Sequence, residues 1–167
     1  MKLMGTGSRS LVLHPDRKEI FALLEFKILL MFESNPDLVL ITGMAEGFDE
    51  AIAKIGLKNN IPYLAYIPNY GYADYYWKNH SKMGKNRINT YQKLLNGAAD
   101  ITFVCQSNLY VDGVHSNFVR NSAMIEACDS AIAWYERSDA GGTADALRKL
   151  RAAGKPVSIY PWEDKLF

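Results

Sequence analysis

Residues 37–68 read DLVLITGMAEGFDEAIAKIGLKNNIPYLAYIP, and this stretch decides the fold of the chain. The apolar run 37–42 does not alternate, which is typical of a strand buried on both faces of a parallel sheet. Residues 48–58 carry apolar side chains at helical spacing, and residues 61–67 form a second apolar run. The stretch therefore predicts a β-α-β unit whose first turn, residues 43–47, is rich in glycine.

The same alternation of apolar runs and amphipathic stretches continues on both sides of this unit. Alternating strands and helices favour a parallel sheet with helices on both faces. A length of 167 residues suits one domain with a full core. We therefore predict an α/β fold: a single Rossmann-like three-layer domain over residues 1–167, with a mainly parallel sheet of about six strands.

The composition is that of an ordinary folded protein, with 49% apolar residues and a formal net charge of +1. Such a balance gives no support for a duplex-binding surface. Cys105 and Cys128 are predicted to be buried structural thiols, and no metal-ligand spacing occurs, so we expect no metal and no cofactor. With no signal-peptide pattern and no membrane-length apolar run, we expect a cytoplasmic protein without a membrane partner.

Three glycine turns each follow a predicted strand, and they comprise residues 5–9, 43–47 and 141–143. The strand before the first turn is predicted at residues 2–4. A parallel sheet brings such turns to one edge, where helix N-termini present free N–H groups to a ligand. Together with a helix that begins near Arg120, they predict a nucleotide-type pocket. The predicted ligand-binding residues are Gly5, Thr6, Gly7, Ser8, Arg9, Gly43, Met44, Ala45, Glu46, Gly47, Asp49, Arg120, Asn121, Gly141, Gly142 and Thr143.

The turns differ in the chemistry that they offer. Backbone N–H groups of the first and third turns, with Arg9, suit a phosphate. Glu46 or Asp49 suits ribose hydroxyls, although Asp49 is equally explained by helix capping. The role of the aromatic segment 69–77 stays open between base stacking, surface packing and a dimer contact. Its candidates for covering a base are Tyr70, Tyr72, Tyr75, Tyr76 and Trp77.

Four motifs occur here in one order: GTGSR, TGMAEGFD, VRNSAMIEACDSAIAWY and a late GGT that opens a helix. In this order they resemble the SLOG superfamily, which joins DprA/Smf-type proteins and LOG ("lysine decarboxylase-like") proteins. The resemblance covers almost the whole chain and is closest to the YpsA-like branch. It implies a Rossmann-like sheet and a pocket for a nucleotide or a nucleotide-derived ligand.

The LOG branch includes phosphoribohydrolases, and its pattern matches Arg120 and Gly142–Thr143 here. The position of the family's glutamate is Ala146, whereas Asp145 lies one residue earlier, roughly 100° round the helix. The nucleotide hydrolase hypothesis therefore leaves the catalytic residues unknown. Their candidates are Arg120, Glu46 and Glu126.

The DprA branch binds single-stranded DNA, and its glycine motif resembles TGMAEGFD. In this chain Glu46, Asp49 and Glu50 are acidic beside that loop and would repel a phosphate backbone. Lysines, asparagines and aromatic residues after Pro68 favour single-stranded nucleic acid instead. This DprA-like binding is kept as a second alternative.

Our main hypothesis is a sensor or sequestering protein for a small ligand of the ADP-ribose, NAD-derived or cyclic-nucleotide type. The first alternative is a LOG-like N-glycosidic hydrolase acting on nucleotides. The expected partners are the small ligand and a second copy of the chain, through residues 23–31 or the aromatic segment. Nucleic acid is not an expected partner.

Overall fold

The computed structural model describes residues 1–106, 110–111, 114–135 and 141–160. The predicted single domain over residues 1–167 includes segments outside these and stays a prediction. The strands, in chain order, are β1 (Lys2–Gly7), β2 (Val39–Thr42), β3 (Tyr63–Ile67), β4 (Asp100–Phe103), β5 (Tyr110–Val111), β6 (Val114–His115), β7 (Ser130–Trp134) and β8 (Val157–Tyr160).

Six of these strands form one sheet in the order β4-β3-β2-β1-β7-β8, and every neighbouring pair is parallel. β5 and β6 form a separate antiparallel pair. The predicted α/β fold with a mainly parallel sheet of about six strands is confirmed.

Helices alternate with the strands along the chain. None in the described part is long and apolar enough to cross a bilayer. A 3₁₀ turn, Arg9–Leu13, follows β1, and a π-helical segment, Ala73–Asn79, follows β3. The α-helices are α1 (Arg17–Ser34), α2 (Phe48–Asn59), α3 (Ile88–Asn96), α4 (Ser116–Ala127) and α5 (Gly142–Ala152).

The helices cover the two faces of the sheet and create two cores. On one face, α1, α2 and α3 bury side chains such as Ile28, Ile52 and Leu94 against alternate strand residues. On the other, α4 and α5 pack Met124 and Leu150 against the remaining ones. Burial on both faces explains why the central strands read as unbroken apolar runs.

β1 is the point at which the order of the sheet reverses. β2, β3 and β4 follow on one side of it, whereas β7 and β8 lie on the other. In open parallel sheets, ligands bind outside the carboxyl ends of the strands at such a reversal. The ends of β1 and β7, paired as Gly7 with Trp134, therefore mark the place to look for a site.

Gly5 and Gly7 belong to β1, which is longer than the predicted strand at residues 2–4. Both are paired with β7, so the first turn begins only at Ser8. A Cβ on Gly5 would lie 2.2 Å from Cγ1 of Ile52, and one on Gly7 would lie 2.5 Å from Cβ of Phe48. These glycines let α2 approach the sheet closely.

A methyl group at Gly5 should destabilise the fold. We expect Gly5→Ala to lower the free energy of unfolding by about 1–3 kcal/mol, because the new Cβ overlaps Ile52. The measurement is urea unfolding, with Gly71→Ala as the matched control, since a Cβ there meets only Asn69 Oδ1 at 3.5 Å.

The double variant Gly5→Ala, Ile52→Ala tests whether overlap with Ile52 causes the loss of stability. Its loss should be smaller than the sum of the two single losses, because the added methyl group then occupies the space that Ile52 vacates. Strictly additive losses would show that the Gly5–Ile52 contact is not the source.

Candidate functional site

A pocket of about 440 Å³ opens at the carboxyl edge of the sheet, where β1 and β7 end. It is formed by the turn after β1, the first turns of α4 and α5, and part of the aromatic segment. The lining residues are Thr6, Gly7, Ser8, Arg9, Ser10, Ala45, Asp49, Tyr72, Tyr76, Asn117, Arg120, Trp134, Tyr135, Gly141, Gly142 and Thr143.

One end of this pocket is the N-terminus of α5. Gly141 caps the helix at a φ of 100°, a left-handed conformation that favours glycine, and no side chain from the described ranges caps the helix. Gly142 and Thr143 lie in the first turn of α5 and line the pocket. The N–H groups of a first helical turn lack partners within the helix and attract anions.

Arg120, on α4, is 7% exposed and joins three parts of the site. Its Nη1 donates to the carbonyl of Gly43 at 2.8 Å, and its Nη2 donates to Oδ1 of Asn121 at 3.2 Å. Asn121 in turn donates to the carbonyl of Gly142 at 2.9 Å. Among the described residues, the buried Nε of Arg120 has no hydrogen-bond partner.

Asp49 lies in the first turn of α2 and contributes a carboxylate to the pocket. Burial raises its pKa to about 6, against the opposing effects of Arg120 and of the N–H groups of Ala45, Gly43 and Gly7. The carboxylate therefore fastens the glycine loop 43–47 to the end of β1. These N–H groups lie outside α2, whose N-cap is Gly47 and has no side-chain cap among the described residues, so both the capping and the ribose interpretations of Asp49 stay predictions.

Glu46 does not line the pocket, although we predicted it as a ligand for ribose. Its fully buried side chain accepts bonds from Ser81 Oγ at 2.6 Å, the backbone N–H of Lys82 at 2.7 Å and Arg87 Nη1 at 3.0 Å. Arg9 Nη2 donates to it over a longer 3.4 Å. Glu46 thus holds the segment 81–87 against the loop from which it projects.

Arg9 is the second guanidinium of the pocket and is held loosely. Its Cζ lies 4.5 Å from the ring centroid of Tyr76, and its Nη2 donates to the carbonyl of His80 at 3.3 Å in addition to the longer bond to Glu46. Its buried Nε has no hydrogen-bond partner within the described ranges. Glu46 also accepts three shorter bonds that do not involve Arg9.

In the aromatic segment, some residues support the glycine loop and others line the pocket. Trp77 is fully buried and donates to the carbonyl of Met44 at 2.9 Å, which fixes the loop in which Met44 adopts a φ of 55°. Tyr72 and Tyr76 line the pocket, and Asn117 donates to the Tyr76 hydroxyl at 3.3 Å. Tyr70 and Tyr75 are exposed.

Ten of the sixteen predicted ligand-binding residues line the pocket: Thr6, Gly7, Ser8, Arg9, Ala45, Asp49, Arg120, Gly141, Gly142 and Thr143. Their ligand contacts stay predictions. Gly47, at a φ of 88°, instead lets its loop approach the carbonyl of Ser8. Other predicted residues support the wall: Gly5, Gly43, Met44, Glu46 and Asn121.

Glu126 is exposed near the C-terminal end of α4, whereas the pocket is formed at the other end of that helix. Ser10, Asn117, Trp134 and Tyr135 line the pocket but were not predicted. Trp134 and Tyr135 could have been found from the rule that residues at the carboxyl end of a strand face the ligand. Asn117 was missed because α4 begins at Ser116, two residues before the predicted start.

No protein-family model matches this chain, and a search of the curated proteins also gives no match. Two solved structures have a similar fold. DNA processing protein A (DprA) from Streptococcus pneumoniae is 19% identical with a TM-score of 0.61, over 98% of this chain and 51% of that one. DNA processing protein A from Helicobacter pylori, described for its single-stranded DNA binding mode, is 19% identical with a TM-score of 0.60, over 99% and 67%.

This likeness concerns the fold alone and agrees with the Rossmann-like sheet that the resemblance implied. This chain spans about half the length of the Streptococcus protein. The YpsA-like branch stays a prediction. The expectation that nucleic acid is not a partner is wrong. A protein with a similar fold is described for its single-stranded DNA binding mode.

The raised pKa of Asp49 makes stability depend on pH. Since its pKa rises from 3.8 to about 6 on folding, the folded chain holds this proton longer than the unfolded chain. The group therefore stabilises the fold at low pH, and its contribution falls as the pH rises through this window. We expect wild type to lose about 2–3 kcal/mol relative to Asp49→Asn between about pH 4 and pH 7.

Urea unfolding of both proteins across this pH range measures the difference. Comparing the two proteins removes the contributions of other carboxyl groups, such as Glu50, whose pKa is lowered through Arg87 and Lys54 despite its burial. Parallel stability curves for wild type and variant would contradict the assignment.

Proposed function

We propose that this chain binds single-stranded nucleic acid and seats one nucleotide in the pocket at the carboxyl edge. The observation that carries the proposal is the pair of buried Nε atoms of Arg9 and Arg120, which have no hydrogen-bond partner in the described part of the chain. They belong to the same pocket as the N-terminus of α5, which no side chain of that part caps. Donors of these kinds suit the oxygens of a phosphate.

The opposite wall suits the rest of a nucleotide. Tyr72 and Tyr76 offer aromatic surface, and Asn117 adds an amide. Base stacking on aromatic rings tolerates any sequence, because every base has a π-face. The combination of an anion-binding end and an aromatic wall supports a nucleotide unit rather than a simple inorganic anion.

A basic segment suits the phosphates of the nucleic acid that neighbour the nucleotide in the pocket. Residues 78–87 read KNHSKMGKNR and contain no acidic residue. Lys82 and Lys85 are exposed, and His80 contacts Arg9 through its carbonyl. The positive charge of this segment is local, so it suits a phosphate backbone although the net charge of the whole chain is only +1. Glu46 is buried beneath the segment and does not face the nucleic acid.

The likeness in fold to the Helicobacter protein supports the same proposal. A free nucleotide is the second candidate, because a cavity of about 440 Å³ suits one small organic ligand. The two candidates share the phosphate end of the pocket and differ in whether the basic segment takes part.

We expect fluorescence anisotropy with labelled oligo-dT to show binding that weakens with salt. Arg9→Ala should weaken it about tenfold or more, since a charge-assisted hydrogen bond is lost. Arg151→Ala is the matched control, because Arg151 is exposed at the other end of α5, and its binding should equal that of wild type.

The double variant Lys82→Ala, Lys85→Ala separates the two candidates. It should lower the slope of log affinity against log salt by about one to two for oligo-dT. Nucleoside monophosphates that bind tightly, with oligo-dT failing to compete, would favour the free nucleotide. A folded sample that binds no oligonucleotide even at low salt would contradict the proposal.

A further inference from the structure

A cluster of aromatic rings continues from the pocket to the surface. The ring centroids of Tyr72 and Tyr76, which both line the pocket, are 4.9 Å apart. The Tyr75 ring meets the Tyr76 ring edge to face, with the centroids 4.8 Å apart. The His80 ring lies against Tyr75 with a centroid distance of 4.3 Å. The aromatic wall therefore extends beyond the pocket itself.

The π-helical turn Ala73–Asn79 places the outer two rings. The backbone N–H of Tyr75 donates to the carbonyl of Gly71 at 3.0 Å, and the N–H of His80 donates to the carbonyl of Tyr75 at 2.9 Å. The second bond spans five residues, which is the spacing of a π-helix. Tyr75 and His80 are thus both held by main-chain bonds, so the turn presents their rings from a fixed backbone.

The outer rings differ from the pocket tyrosines in their exposure. Tyr75 is 53% exposed and His80 is exposed as well, whereas Tyr72 is buried. A tyrosine ring that is half in water and backed by a second ring offers a flat apolar surface. A planar group that covers this surface gains stacking and removes apolar area from water.

Arg9 lies between the pocket and the outer rings. Its Cζ is 4.5 Å from the ring centroid of Tyr76, and its Nη2 donates to the carbonyl of His80 at 3.3 Å. A guanidinium in this place suits the phosphate that joins two nucleotides, one with its base in the pocket and the next with its base on Tyr75. Successive bases of a single strand can stack on separate aromatic side chains in this way.

The charges around Tyr75 also suit a nucleic acid. Lys78 and Lys82 are exposed on the same segment. Asp74 is acidic, but its carboxylate lies 3.7 Å from the ammonium group of Lys78, so the pair adds no net negative charge. An aromatic surface flanked by lysines favours the base of an anionic strand over an apolar segment of a protein.

We propose that Tyr75, backed by His80, is a second base-stacking subsite, which takes the nucleotide next to the one in the pocket. This inference rests on the proposed function and assigns a further part of the strand to named residues. Because every base has a π-face, the subsite accepts any of the four bases. The chain therefore covers at least two consecutive nucleotides.

Calorimetric titration with thymidine 5′-monophosphate and with the dinucleotide pdTpdT tests the proposal. We expect wild type to bind pdTpdT about tenfold more tightly than analogues in which either base is replaced by an abasic sugar, since stacking of one base contributes on this scale. Tyr75→Ala should bind pdTpdT no better than the tighter abasic analogue. It should bind the monophosphate as wild type does, because the pocket is unchanged.

Two variants serve as controls. Tyr75→Phe keeps the ring and should bind pdTpdT as wild type does. Tyr70→Ala makes the same truncation at a residue that is 63% exposed in the same segment, and its affinity for pdTpdT should equal that of wild type. The Tyr70 ring stacks on Phe103 of β4 at 4.4 Å and is not among the described residues that line the pocket. Circular dichroism checks that each variant is folded.

Three results would overturn the subsite while leaving the proposed function in place. They are a wild type that binds pdTpdT no better than the tighter abasic analogue, a Tyr75→Ala variant that keeps the wild-type preference, and an affinity that Tyr70→Ala lowers and Tyr75→Ala does not. A folded wild type that binds neither pdTpdT nor oligo-dT at low salt would overturn the proposed function and the subsite with it.

Discussion

The guanidinium of Arg120 is the contact on which the rest of the site depends. It is buried at the start of α4, where it donates to the carbonyl of Gly43 and, through Asn121, connects to Gly142. These residues come from three different β-α connections. A buried charge must have partners, and one that keeps a single donor unpaired is costly unless a ligand completes it. This cost makes the unpartnered Nε informative.

The charged groups around the pocket differ in whether their hydrogen-bonding atoms already have partners within the protein. Glu46 and Asp49 are both acidic, both buried and both close to the glycine loop. Their oxygens are occupied by protein donors, Glu46 by the segment 81–87 and Asp49 by backbone N–H groups. The Nε atoms of Arg9 and Arg120, by contrast, have no hydrogen-bond partner among the residues that the structure describes. The charged residues that line the pocket are Arg9, Arg120 and Asp49.

The aromatic segment shows how one stretch serves two purposes. Trp77 stabilises the loop through its bond to Met44, and Tyr76 supports Arg9 through a cation–π contact. Tyrosines of the same segment line the cavity. Periodicity cannot divide such a segment into supporting and lining residues, since a π-helical turn places neighbours on faces that differ from those of an α-helix.

The sequence by itself determined the alternation of strands and helices, the parallel sheet and the edge at which three connections meet, because these depend on local periodicity and on glycine positions. Only the tertiary structure decided which side chains remain available. Gly5 serves the packing of α2, and Glu46 is neutralised by residues 35 to 41 positions away. Arg120 meets Gly43 across 77 residues. Such pairings depend on sheet order and burial, which are properties of the whole chain rather than of any stretch of it.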